Sequence, residues 1–75
     1  MPKIELSTGK TLDMRRPKVR DMNMIKDIKD DLEREQALIM NLAELSKDEL
    51  EDMDIYDYTL LQKELVGFTS TKPKI

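Results

Sequence analysis

Cysteine, histidine and tryptophan are all missing from this 75-residue chain. Without cysteine there is no disulfide, no thiolate nucleophile and no cysteine-ligated zinc. Without histidine the commonest general base and the other usual zinc ligand are gone as well. Long apolar runs are lacking too, and every stretch falls far short of the roughly 20 residues that cross a bilayer. The first twenty residues carry charge throughout and contain no apolar signal-peptide core. The plain expectation is a soluble, intracellular protein. A chain this short makes one domain at most and buries only about 60% of its unfolded surface. What remains to stabilise it is a modest helical core, or a second subunit that completes one.

What the chain does have is charge, unevenly placed. The net charge of −3 conceals Lys3, Lys10, Arg15, Arg16, Lys18 and Arg20 against only Glu5 and Asp13 in the first twenty residues. From Asp21 to Tyr58 acid dominates, and Lys72-Pro73-Lys74 lies near the end. The expected organisation is a basic hairpin or arm over 1–20, an acidic helical body over 21–68 and a flexible polar tail over 69–75. Such polarity suits head-to-tail association or a partner of mixed charge. Solvated faces that keep a small protein soluble are the simpler explanation for any single charge.

Alternation in Lys3-Ile4-Glu5-Leu6 and Lys10-Thr11-Leu12-Asp13-Met14, on either side of Thr8-Gly9, predicts a β-hairpin. A strict two-residue loop would split the apolar residues between faces. Pairing Leu6 with Leu12 and Ile4 with Met14 keeps them together, through a longer connection or a bulge with Gly9 at positive φ. The hairpin must dock on the helices, join a partner's sheet, or stay mobile until bound. Pro17 ends the second strand. Asp21 then suits an N-cap for a long helix from Met22 to Ala43. Ile25, Ile28, Leu32, Ile39 and Leu42 form its apolar stripe, widened by Met22, Leu38 and Leu45. Glu35 thins that stripe at its middle. Lys26–Asp30 and Asp30–Arg34 are opposite-charge pairs at i,i+4. Ser46-Lys47-Asp48-Glu49 is a capping box, with Leu45 placed to staple onto Leu50, and it opens a short helix to about Asp52. Asp54 caps a last helix from Ile55 to about Val66, with Ile55, Tyr58, Leu61, Leu65 and Phe68 at helical spacing and Gly67 as its C-cap. The fold class is α+β and mostly helical: an N-terminal β-hairpin followed by one long, one short and one medium helix.

Catalytic chemistry finds no support in these residues. Asp48, Asp52 and Asp54 carry oxygens suited to a hard cation, but no EF-hand loop surrounds them and capping accounts for much of the run. Asp27 and Asp31 share a helix face without the cleft that a carboxylate pair needs. Ser46 lacks a base, and Gly9-Lys10-Thr11 lacks the rest of a phosphate loop. The expectation is therefore no catalytic residue, no metal and no cofactor. Nucleic-acid binding through the basic segment Arg15, Arg16, Lys18 and Arg20 is the competing function. Against it stand an acidic body and an arm without aromatic residues for base stacking. Tyr58 and Phe68 belong to the core stripe, whereas Tyr56 lies off it as a candidate interface anchor. Met22, Met24 and Met40 are adaptable groups suited to a helix-lined groove.

The order of these features resembles the small tail assembly chaperones of contractile-tailed phages and Mu-like prophages. The resemblance is carried by Ile4-Glu5-Leu6, a short turn, and Leu12-Asp13-Met14-Arg15-Arg16-Pro17-Lys18-Val19-Arg20-Asp21. It continues through the helix, the Leu42-Ala43-Glu44-Leu45-Ser46 break and Glu49-Leu50-Glu51-Asp52-Met53-Asp54-Ile55-Tyr56-Asp57-Tyr58, covering most of 4–68. It implies a non-enzymatic factor of the host bacterial cytoplasm, absent from the mature virion. Such a factor coats and solubilises the tape-measure protein and helps tail-tube subunits polymerise around it. The resemblance also fits a homo-oligomer and the frameshifted, extended version that many such factors have. Met22, Ile25, Met40 and Tyr56 are the expected border of the protein-binding surface, with the basic arm contributing to subunit or tube contacts. The alternative is a small regulatory protein that binds nucleic acid through Arg15–Arg20.

Overall fold

A computed structural model describes residues 3–70. It contains β1 (Lys3–Glu5), β2 (Thr11–Asp13), α1 (Val19–Ile25), α2 (Asp31–Ala43), α3 (Lys47–Glu51) and α4 (Ile55–Ser70). The α+β, mostly helical class expected from the sequence is observed. Of the expected tail, residues 69 and 70 continue α4, and 71–75 lie outside the described residues.

The strands pair antiparallel, with Ile4 opposite Leu12 and Lys3 opposite Asp13. This register is two residues tighter than the predicted pairing of Leu6 with Leu12. The Leu6 amide donates to the Lys10 carbonyl at 2.8 Å, and the Gly9 amide donates to the Leu6 carbonyl at 2.9 Å. Gly9 supplies the left-handed residue of this three-residue loop, at φ 89°, a conformation that costs glycine little. A shift of two preserves the face of every side chain. Ile4, Leu6, Leu12 and Met14 are accordingly all buried, and they share one core with Ile39, Leu42, Ala43, Leu50, Leu61 and Phe68.

The predicted long helix is in fact two. α1 starts at Val19, behind Lys18 in extended conformation, and α2 starts after Asp30, whose carboxylate accepts the Glu33 amide at 2.9 Å. The reversal between them has a direct geometric proof. In one continuous helix Asp21 and Asn41 would stand about 30 Å apart, yet the Asn41 amide donates to the Asp21 carboxylate at 2.6 Å. Asp21 is therefore not the N-cap but the third residue of α1. The break also removes the predicted Lys26–Asp30 and Asp30–Arg34 pairs. Arg34 instead pairs with Asp31 and donates to the Ile28 carbonyl at 3.2 Å.

Glu44, in the left-handed region at φ 56°, ends α2, and the Ser46–Glu49 capping box opens α3 as expected. Leu32 and Ile55, assigned to the apolar stripes, are exposed, at 53% and 82%. Both sit within the first turn of a freshly capped helix, before the chain reaches the core. Glu35, the polar interruption, spans to α4: the Tyr58 hydroxyl and the Gln62 amide donate to it at 3.1 and 2.7 Å.

Gly67 is not a C-cap. It lies inside α4 at negative φ, with open space where a Cβ would stand. Gly67→Ala is therefore expected to raise stability by up to about 1 kcal/mol, measured as the urea midpoint. A left-handed cap at this position would give the opposite sign.

Candidate protein-interaction surface

The geometry of the surface starts from the joint between hairpin and helices. Pro17 has no amide hydrogen to pair, and the chain leaves it extended into α1. The Lys18 amide donates to the Asp21 carboxylate at 2.7 Å, satisfying a donor that the first turn would otherwise leave open. Both Arg15 nitrogens meet the same carboxylate, at 2.8 and 2.7 Å. With Asn41 as a further donor, a buried acid at 1% exposure is fully partnered. The two Arg15 bonds outweigh the opposing effect of burial. Together with the Lys18 amide they hold the Asp21 carboxyl well below the usual carboxylate range, and Arg15 is raised in return.

Arg16 is also turned inward. It donates to the Phe68 carbonyl at 2.9 Å and lies over the Phe68 ring, 5.3 Å from its centroid. A cation near the end of α4 complements the helix dipole, and the ring face adds a cation–π contact. The four residues of the basic segment thus divide. Arg15 and Arg16 bind the body, whereas the side chains of Lys18 and Arg20 are exposed.

A second buried acid, Asp57 in the first turn of α4, fixes the hairpin loop. The Ser7 amide and hydroxyl donate to it at 2.8 and 2.9 Å. Sequence reading offers no signal for this pair, which lies 50 residues apart. Asp30 was the findable feature, because Asp30-Asp31-Leu32-Glu33 has the spacing of an N-cap and its N3 acid.

With these anchors set, Val19, Met22, Met24, Leu32, Ile55, Tyr56 and Val66 remain on the surface. Val19 and Met22, at i and i+3, share one face of α1. They border a cavity of about 260 Å³ with Pro17, Lys18 and Leu38. A larger groove of about 510 Å³ runs between α2 and α4, lined by Glu35, Thr59, Gln62, Lys63, Leu65 and Val66. Of the residues expected at the protein-binding surface, Met22 and Tyr56 are exposed, Ile25 is half-buried and Met40 packs against the core. They do not line one groove: Met22 borders the α1 cavity, and Met40 a different one with Ile28, Gln36 and Leu50. Asp27 lies in the turn between α1 and α2, and Asp31 opens α2. Among the described residues no three acidic side chains cluster as a metal site, and no helix is long and apolar enough to cross a membrane.

Two titrations follow. Asp21 has a lowered pKa in the fold, so its stabilisation is complete above the unfolded value of about 4. It is lost as pH falls from there through the folded value. Urea midpoints between pH 7 and 2 should therefore fall less steeply in Asp21→Asn than in the parent. Arg15→Ala at pH 7 should lower the urea midpoint, because it leaves the buried Asp21 carboxylate without its charged partner. Tyr58 is pushed up to about 12, first by burial and then by the Glu35 carboxylate. In Tyr56→Phe the remaining phenol should ionise near that value by ultraviolet absorbance. The stability it lends should be present below about pH 10 and lost as pH rises beyond it.

Comparison with known proteins supplies the family. The sequence model described as "Phage tail assembly chaperone proteins, E, or 41 or 14" matches residues 5–70. No curated protein and no solved structure matches the chain. The match begins at the last residue of β1 and ends with α4, so it takes in the hairpin loop, β2, both buried acids and all four helices. The chain belongs to the phage tail assembly chaperone family.

Proposed function

We infer that this tail assembly chaperone binds and solubilises the tape-measure protein while a phage tail is built. It does so as a homo-oligomer in the host bacterial cytoplasm, without catalysis, and is not retained in the finished particle. The observation that carries this reading is the set of large apolar side chains left exposed on α1, α2 and α4, led by Ile55 at 82% and including Val19, Met22, Met24 and Tyr56 at 63–73%. In a family that assembles tails, such groups are suited to covering apolar helices of a client. Met22, Ile25, Met40 and Tyr56 border the contact surface, and the tail-tube protein is a second partner.

The nucleic-acid alternative is weakened by the same geometry. Arg15 holds Asp21 and Arg16 holds the end of α4, which leaves Lys18 and Arg20 as the exposed cations of the segment. Two phosphate contacts give little affinity at physiological salt.

Co-expression with the tape-measure protein of the same phage tests the reading. The chaperone should raise the soluble fraction of that protein several-fold, and Met22→Glu with Tyr56→Glu should abolish the gain while leaving the chaperone folded by circular dichroism. Equal solubility with and without the chain would overturn the proposal. Salt-dependent binding to duplex DNA at physiological ionic strength would favour the alternative.

A further inference from the structure

α1 is joined to the body through a charge rather than through apolar packing. Asp21 is the one buried residue of this helix, while Val19 and Met22 stand 73% and 64% exposed. With Pro17, Lys18 and Leu38 they line a cavity of about 260 Å³. That is below the roughly 300–1,000 Å³ of sites that enclose a whole small molecule. It suits a single bulky apolar side chain, the kind of anchor that carries most of the energy of a protein contact. Its walls belong to two helices, α1 and α2, and the Asn41–Asp21 bond fixes one against the other. Leu38 precedes Asn41 by three residues on the same helix, so the shape of the cavity is set before anything binds.

The charge around this cavity has one sign. Between positions 18 and 26 the exposed charged residues are Lys18, Arg20 and Lys26, and the single acid there is the buried Asp21, already held by Arg15. The ion pairs among the described residues belong to Lys10, Arg15 and Arg34, not to these three. The chain as a whole carries −3. An acidic partner is therefore discouraged over much of the surface and drawn to this corner.

We propose that the cavity at the start of α1 receives a bulky apolar side chain from an acidic segment of the client. Carboxylates flanking that side chain meet Lys18 and Arg20. The buried apolar group supplies the attraction, and the opposed charges select the segment and its orientation. Because Lys18 and Arg20 are exposed, added salt weakens the contact. This assignment rests on the client-binding function proposed above and names the chemistry that α1 selects in the client.

The test uses two synthetic amphipathic peptides with the same leucines, one with glutamate and the other with lysine at every charged position. Each is titrated at low salt into the full isotope-labelled chain, and amide shifts are followed by NMR. The parent should bind the glutamate peptide about tenfold more tightly, in line with a few exposed charge pairs. The shifts should centre on Val19, Met22 and Leu38. Lys18→Glu with Arg20→Glu should reverse the preference. These acids lie at the start of α1, where they agree with the helix dipole, so the parental thermal melt should be kept. Val19→Ser should weaken the glutamate peptide without changing its salt dependence. Equal binding of the two peptides, or shifts confined to the groove between α2 and α4, would overturn the assignment. So would a preference that survives the charge reversal. Shifts at Val19 and Met22 that grow with chaperone concentration alone would give the cavity to a second copy and overturn it as well. The client-binding function is read separately, by tape-measure solubility. A chain that solubilises this client without telling the peptides apart overturns the acidic site alone. One that tells them apart without solubilising the client overturns the function and leaves the site.

Discussion

The Asp21 carboxylate, closed off from water, decides where α1 lies. Four donors converge on it from three places: the two Arg15 nitrogens before the helix, the Lys18 amide at its start and the Asn41 amide on α2. A buried charge left without partners costs several kcal/mol, so these groups must arrive together. Their convergence folds α1 back against α2, ends the second strand's extension and leaves Val19 and Met22 facing outward. Everything the surface offers at that end depends on this one acid being satisfied.

Asp57 repeats the device at the opposite edge, taking both polar groups of Ser7. Two buried acids in so short a chain reflect the limits of the core. The molecule is only 17 Å thick, and among the described residues ten buried apolar side chains form the core, with seven partly buried ones packed against it. Apolar packing of that size is non-directional and tolerates several arrangements of short helices. Hydrogen-bonded carboxylates do not, because each has one geometry in which all its donors are in reach. The core supplies the cohesion, and the acids fix the arrangement.

The legible parts of the sequence were those governed by local rules. Alternation placed Ile4, Leu6, Leu12 and Met14 on one face even though the pairing was two residues off, because face depends on parity alone. The Ser46–Glu49 capping box was readable for the same reason, since all of its atoms lie within one turn. The break between α1 and α2 was not read, because Ile25, Ile28 and Leu32 keep helical spacing across it and Asp30 also fits an in-helix ion pair. Asn41, which has to reach Asp21, and the capping spacing of Asp30 and Glu33 are what distinguish two helices from one. Asp57 was hidden more completely, its partner being at the far end of the chain. Gly67 misled because glycine near the end of an apolar stripe usually stops a helix. Here Arg16 complements the following turn from outside.

A tail assembly chaperone has to hold its partners and then give them up, and the distribution of exposed apolar groups fits that requirement. One large apolar face would bind tightly and would also precipitate an 8.8 kDa protein. Here Val19 and Met22, Leu32, and Ile55 with Tyr56 belong to separate helix starts, each beside exposed charges. A contact through any one of them falls in the range of small, transient interfaces. Where such contacts are linked, several weak ones multiply while each can still open singly. The anchoring acids contribute here as well. By fixing the helix starts rigidly, they spare each weak contact the cost of ordering its own surface before it binds.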